Sequence, residues 1–251
     1  MNPKVLVTPS GIRFGLLGEK GASPAPTLFV FANRIEETLG SEHYSRSACV
    51  LMKHGFLCAS LDLPCHGEDK KPGEPDGLGG WRVRIEGGFS ELVPGFVAKV
   101  SAVLDYLVKE GYADPQKVAA CGTSRGGFMA LHFAAADARV KCVAAFAPVT
   151  NLLTLREFAG MEKHPVTNAL ALVNLAGKLA GRGVWICIGN HDERVGTDHA
   201  IAFTRKVVEA CAAQKRPADV ELHVMPVAGH TLHATAHEEA AAWMLARMIK
   251  T

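Results

Sequence analysis

Short apolar runs alternate with stretches of helical period along almost the whole chain. Residues 5–7 and 12–17 read as two early strands able to form a hairpin. A Gly- and Pro-rich linker at 21–26 leads into the continuous apolar run 27–31, which fits a strand buried on both faces. A polar loop over 32–40 leads into a helix ending near Lys53, and 56–61 is the next strand. Residues 67–90 are rich in glycine, proline and charge and read as a long surface loop, a kind that is usually functional or mobile. Val97, Val100, Val103, Leu104, Leu107 and Val108 recur at helical spacing, and Gly111 with Pro115 stops that helix. An apolar run at 117–121, a helix over 128–136 and a strand at 140–146 follow. Residues 148–183 hold weakly periodic helix rich in Leu and Ala, and 184–188 is another wholly apolar strand. Ile201, Thr204, Val207, Val208 and Cys211 share one helix face, with Thr197 or Asp198 as its cap. Val220, Leu222 and Val224 alternate with Glu221, His223 and Met225, as on a half-exposed strand, and a last helix runs from about Glu238 to Lys250. This alternation predicts an α/β fold in one domain over 1–251, with a mostly parallel sheet of about eight strands flanked by helices.

Composition removes several classes of function. With 48% hydrophobic and 21% charged residues over 251 positions, the chain has ample material for a core. A formal net charge of +2 leaves no electrostatic footprint for nucleic acid or an anionic membrane, so neither is expected as a partner. No run approaches the roughly 18 apolar residues of a membrane span. Residues 1–9 lack the apolar core of a secretory signal, and the expected location is cytoplasmic. Seven cysteines are scattered without a Cys-x-x-Cys pair, several inside strand-like runs, which points to buried free thiols rather than disulfides.

The chemistry centres on Gly122-Thr123-Ser124-Arg125-Gly126-Gly127, which lies between the run 117–121 and the helix 128–136. A strand, a sharp turn and a helix in that order are the context of a nucleophile elbow. The serine there sits in strained backbone, and side chains two residues away would collide with the neighbouring strand and helix. The helix N-terminus behind it favours developing negative charge. A serine hydroxyl needs a base to take its proton, and the base needs a carboxylate to fix its tautomer. Parallel α/β sheets place such groups at strand C-terminal ends. Asp192 follows the strand 184–188 and His230 follows the strand 220–225, giving the order Ser, Asp, His along the chain.

On these residues the chain resembles an α/β-hydrolase. The doubled glycine after Ser124 is similar to that of the dienelactone hydrolase and prolyl-oligopeptidase-like branches, and Asp62-Leu63-Pro64-Cys65-His66-Gly67 resembles the Asp-x-x-Gly-His-Gly turn common after the fourth strand of that fold. The resemblance implies Ser124 as nucleophile, Asp192 as acid and His230 as base, with no cofactor, and lid elements are expected at 67–90 and 148–183. Two departures stand out. Dienelactone hydrolases carry cysteine at the elbow, where this chain has Ser124. The His-Gly dipeptide of many members after the third strand is replaced here by Ala32-Asn33-Arg34.

Each assignment has rivals. His191, His199, His233 and His237 also lie late in the chain. His230 is preferred because Gly229 frees its loop and the strand directly precedes it, with His233 second. Glu193 and Asp198 compete with Asp192, which is nearer the strand end; Glu193 reads as a solvated neighbour or a partner for Arg194. His230, His233 and His237 imitate metal ligands at helical spacing, but no carboxylate or cysteine set accompanies them and no metal is expected. The oxyanion hole should combine the Arg125 N–H with one from the loop after 27–31, Asn33 first and Arg34 second. The Arg125 guanidinium either orients a substrate carboxylate or serves as a surface charge. Cys65 and His66 resemble a thiol–imidazole pair, although adjacent residues seldom face one another. His66 reads better as a turn-stabilising residue. Arg34, His66 and Arg156 are the candidate substrate contacts. In 148–183, Leu152, Leu153, Leu155, Phe158, Leu170, Leu172, Val173 and Leu175 divide between packing on the sheet and lining an acyl pocket, with Arg156 or Lys163 at its mouth. The expected activity is a serine hydrolase acting on a small soluble carboxylic ester. The alternatives are an amide- or peptide-cleaving relative and a non-catalytic hydrolase-fold binding or receptor protein. Oligomeric state stays open.

Overall fold

Alternate residues of each central strand feed two separate cores. The computed structural model, which describes residues 1–249, has one sheet built from β1 (Lys4–Val7), β2 (Arg13–Leu17), β3 (Ala25–Phe31), β4 (Leu57–Ser60), β5 (Ala113–Thr123), β6 (Val140–Phe146), β7 (Gly183–His191) and β8 (Val220–Ala228). The order across it is β1-β2-β4-β3-β5-β6-β7-β8. The first two pairings, β1 with β2 and β2 with β4, are antiparallel; the other five are parallel. Helices α1 (Ile35–Gly40), α2 (Glu42–Met52), α3 (Gly77–Glu86), α4 (Leu92–Lys109), α5 (Arg125–Ala136), α6 (Pro165–Ala169), α7 (Ala176–Leu179), α8 (Thr197–Ala213) and α9 (Ala236–Met248) connect them. Phe29, Phe31, Val118, Ala120, Val143 and Ala145 point into the core shared with α3, α4, α5 and α8. Their neighbours Leu28, Val30, Ala119, Cys121, Ala144 and Phe146 point into the core shared with α1, α2 and α9. The period of two along a strand therefore separates the layers. The chain thus has the predicted eight-stranded, mostly parallel α/β architecture.

Several expectations need correction. The polar stretch 32–40 is not a loop throughout: α1 begins at Ile35, burying Ile35 and Leu39. A break at Ser41 separates it from α2, where the Ser41 Oγ accepts the His43 N–H at 3.3 Å. Within 67–90, Leu78, Trp81 and Ile85 are buried on one face of α3, and the Trp81 Nε1–H donates to the Pro64 carbonyl at 2.7 Å. Gly77, Gly79 and Gly80 in its first turn hide the helical spacing. Arg84 then ties α3 to the preceding turn through Asp69 and Glu74, each at 2.7 Å. On α8 the buried face is Ala200, Phe203, Thr204, Val207 and Cys211, turned away from Val208, and its N-cap is Gly196 rather than Thr197 or Asp198. The end of the last helix expected at Lys250 lies outside the described residues. No helix among the described residues is long and apolar enough to cross a membrane.

Two histidines sit inside this framework. His132 on α5 lies against Phe128, with ring centroids 4.4 Å apart, and its Nε2–H donates to the Leu170 carbonyl at 3.1 Å. His237 on α9 lies over Phe146 at 4.1 Å and meets the Ser47 Oγ at 3.2 Å. Burial pushes both down to about 4. An unfolded histidine titrates near about 6.5, so between those values the unfolded chain binds more protons. Stability is therefore full above about pH 6.5 and falls as pH drops towards 4, by on the order of 3 kcal/mol per histidine. His132→Gln, which keeps a donor for Leu170 but does not titrate, should remove about half of that decline. Urea unfolding at pH 7 and pH 4.5 measures it. An unchanged pH slope in the variant would mean that His132 is not held neutral.

Candidate active site

β5 runs straight into the turn at Ser124, whose φ of 55° and ψ of −116° lie outside the usual regions for a side-chain-bearing residue. Such strain costs of order 1–3 kcal/mol and persists only where the surroundings impose it. Here the backbone imposes it from both sides. The Ser124 N–H donates to the Phe146 carbonyl at 2.8 Å, and the Ser124 carbonyl accepts from Val149 and Phe128 at 3.1 Å each. The flanking glycines are steric requirements. A Cβ on Gly126 would lie 1.9 Å from the Phe31 carbonyl oxygen, and one on Gly122 would lie 2.3 Å from the Gly126 carbonyl.

The two partners come from the ends of β7 and β8. Asp192 is buried, and its Oδ1 accepts the N–H groups of Arg194 at 2.9 Å and Val195 at 3.2 Å. Thr197 pins the same loop: its hydroxyl donates to the Gly189 carbonyl at 2.7 Å and accepts the Asp192 N–H at 3.0 Å. Sequence reasoning offered Thr197 only as a helix cap and missed this brace. The remaining Asp192 oxygen, Oδ2, accepts the His230 Nδ1–H at 2.7 Å. A carboxylate can only accept, so this bond leaves the lone pair on His230 Nε2. That nitrogen lies 3.0 Å from the Ser124 Oγ and can take its proton.

The other late residues are placed elsewhere. His233 Nδ1 meets the Thr235 hydroxyl at 2.9 Å, His237 is buried against Ser47, and His191 pairs with Glu193 at 3.1 Å. Arg194 is not the partner of Glu193 but holds Glu157 with two hydrogen bonds, at 2.7 and 2.6 Å. Cys65 and His66 do not form a pair. Burial pushes the Cys65 thiol up to about 11, and the His66 Nδ1–H donates to the Pro64 carbonyl at 2.9 Å.

The loop after β3 changes one expectation. The Asn33 N–H already donates to the Thr38 Oγ1 at 2.9 Å, so it is not free for an oxyanion. The N–H groups of Arg34 and Arg125 meet no acceptor among the described residues. Of the two candidates on this loop, Arg34 and not Asn33 has its N–H unengaged. Asp62 braces that loop, accepting the Ile35 N–H at 2.8 Å and Arg13 at 2.9 Å. An aspartate at a strand end was the available signal for it.

Two clefts meet beside Ser124 and share Asn33, Leu78, Arg125 and Arg194 as walls. The first, about 460 Å³, contains Ser124 and His230 together with Tyr44, Ala147, Leu232 and His233. The second, about 610 Å³, contains Arg34, His66, Lys70 and Glu157. Arg34 and His66 line the second cleft, whereas Arg156 lines neither and its side chain is 88% exposed. Lys163 lines neither cleft either. The leucines of 148–183 do not form an acyl pocket: Leu152, Leu155, Phe158, Leu170 and Leu172 are buried in the core beside α5. Leu153 and Leu175 pack partly buried against that core, Val173 is exposed outside both clefts, and Leu78, Tyr44 and Leu232 supply the apolar wall instead.

The profile of the prolyl oligopeptidase family matches residues 97–248, more than half of the chain, including Ser124, Asp192 and His230. The chain belongs to the prolyl oligopeptidase family. This prolyl oligopeptidase-family chain superposes on TT1662 from Thermus thermophilus with a TM-score of 0.70 at 20% identity, covering 100% of each chain. A cold-adapted esterase from an Arctic intertidal metagenomic library gives 0.69 at 19% identity, covering 98% of this chain and 93% of that one. Porphyromonas gingivalis dipeptidyl peptidase 4 gives 0.68 at 16% identity over 98% of this chain, which spans only 35% of that protein. No curated protein matches the sequence significantly. At such identities the neighbours speak to the fold, which is that of the α/β-hydrolases. Of the two branches that the doubled glycine suggested, the family match falls on the prolyl oligopeptidase one, and the chain is a serine hydrolase of the α/β-hydrolase superfamily.

Proposed function

We propose that Ser124, His230 and Asp192 form the catalytic triad of a hydrolase that cleaves small soluble carboxylic esters within one α/β domain. The observation that carries this is the continuous hydrogen-bonded chain from the Ser124 Oγ through the His230 ring to Asp192, at 3.0 and 2.7 Å. His230 Nε2 takes the hydroxyl proton as Oγ attacks the ester carbonyl. The N–H groups of Arg125 and Arg34 stabilise the tetrahedral oxyanion, each worth roughly 3 kcal/mol in such a site. Asp192 stabilises the imidazolium, which gives its proton to the departing alkoxide and leaves an acyl-enzyme. Water then surrenders a proton to His230, attacks the acyl carbon, and the Ser124 oxygen departs with its proton restored.

Two features of the first cleft favour an ester over a peptide with a free N-terminus. Its wall contains no Asp or Glu to receive an ammonium group, and about 460 Å³ suits a short acyl chain. The family match favours a second reading, cleavage of a peptide or amide bond. Nitrophenyl esters from acetate to palmitate, set beside a dipeptidyl nitroanilide, separate the two. The expected result is a kcat/KM maximum at short or medium chains, no jump above the micellar concentration, and slow nitroanilide cleavage. Faster cleavage of the nitroanilide would establish the peptidase reading. A steady rise towards palmitate would point to a lipase. Failure of a fluorophosphonate to label the folded protein would leave a non-catalytic binding protein.

A further inference from the structure

The second cleft is cationic in a way that the triad does not use. Four basic side chains, Arg34, Lys70, Arg125 and Arg194, line it against three carboxylates, Glu37, Asp76 and Glu157. Glu157 is held by Arg194, and Asp76 pairs with Lys70 at 2.8 Å. Glu37 accepts from the Asn33 amide at 2.9 Å. Arg125 and Arg34 have no carboxylate within 4.0 Å among the described residues. The Arg125 guanidinium is nevertheless largely withdrawn from water. It donates to the Asn33 Oδ1, while its buried Nε–H has no acceptor. Burial lowers its pKa, an effect that the more distant Glu37 and Glu157 offset only in part. A buried charge and an unmet donor are both costly unless something else completes them.

His66 does not supply the missing anion or a competing cation. Its Nδ1–H is spent on Pro64, so Nε2 remains an acceptor, and burial together with the Arg125 charge lowers its pKa. Arg125 immediately follows Ser124 and lines both clefts, so an anion beside its guanidinium is also beside the nucleophile. Four positive against three negative side chains leave a surplus of one charge. A monoanion neutralises it, whereas a dianion would overshoot it in the presence of Glu37. A planar guanidinium also matches the two oxygens of a carboxylate.

We propose that the second cleft binds a carboxylate of the substrate through Arg125 assisted by Arg34, making half-esters of short dicarboxylic acids the preferred substrate class. The assignment rests on the reading of Ser124 as the nucleophile, and the test keeps the two apart. Hydrolysis of monoethyl glutarate and of ethyl pentanoate is followed by pH-stat in the wild type and in Arg125→Gln. The wild type should prefer the half-ester, and the variant should lower the ratio of the two kcat/KM values about tenfold to a hundredfold, mainly through KM. A wild type that prefers ethyl pentanoate, or an unchanged ratio in the variant, overturns the proposal. Should Arg125→Gln not fold, Arg34→Gln takes its place and should lower the same ratio by a smaller factor. Calorimetry with glutarate on Ser124→Ala tests the subsite without turnover. Glutarate binding with neither ester hydrolysed by the wild type would sustain the subsite and remove the esterase reading. Hydrolysis of ethyl pentanoate without glutarate binding would do the reverse. Tighter binding of inorganic phosphate than of glutarate would overturn the carboxylate assignment.

Discussion

Ser124→Ala should lower ester turnover by on the order of a millionfold while leaving the fold and its thermal stability in place. The side chain contributes one hydrogen bond, to His230, whereas the three bonds that hold the turn come from the Ser124 backbone. Alanine at φ 55° carries the same strain as serine, so the elbow keeps its shape. The oxyanion donors are backbone groups and survive, so a small residual rate above that of water should remain. Single-turnover and steady-state assays of the purified variant, with its melting curve, check both halves. Turnover comparable to wild type from a folded variant would eliminate the mechanism.

His230→Ala should fall nearly as far, and combining it with Ser124→Ala should add little, because residues acting as one unit do not lose activity additively. His233→Ala is the informative contrast. It lines the same cleft, but its Nδ1 is turned to Thr235, so the variant should retain a working catalyst. Asp192→Asn should cost roughly ten-thousandfold, since the amide presents a donor and favours the wrong tautomer of His230. Turnover numbers for the three variants on one nitrophenyl ester decide the matter. A collapse in His233→Ala with His230→Ala still active would reassign the base.

The fold was legible because the central strands are nearly pure apolar runs, such as Leu28 to Phe31 and Val184 to Ile188, each bounded by glycine, proline or charge. Ser124, Asp192 and His230 could be picked out because parallel strands deliver their trailing loops to one edge, and the structure brings these three side chains together. The features that escaped the sequence are fixed by packing and hydrogen bonding that the hydrophobic pattern does not record. α3 is specified by Leu78, Trp81 and Ile85, whose spacing is diluted by Gly77, Gly79 and Gly80. The engagement of the Asn33 N–H depends on α1 presenting the Thr38 hydroxyl to it. Arg156 and Arg194 are equally basic in sequence, and only packing decides that one reaches solvent while the other walls a cleft. Leucines in 148–183 carry no mark that separates a ligand pocket from a core.

His230 follows β8, one of the two marginal strands of the sheet. β8 hydrogen-bonds only with β7, and most of its side chains are partly exposed. Ser124, by contrast, ends a strand flanked on both sides by β3 and β6. Sheets open from their margins, at a free-energy cost well below that of global unfolding. Fraying of the last residues of β8 would carry His230 out of reach of Ser124 while the elbow and both cores remained in place. Heat tolerance of the activity should therefore depend on the grip of one marginal strand, with activity lost reversibly below the melting temperature.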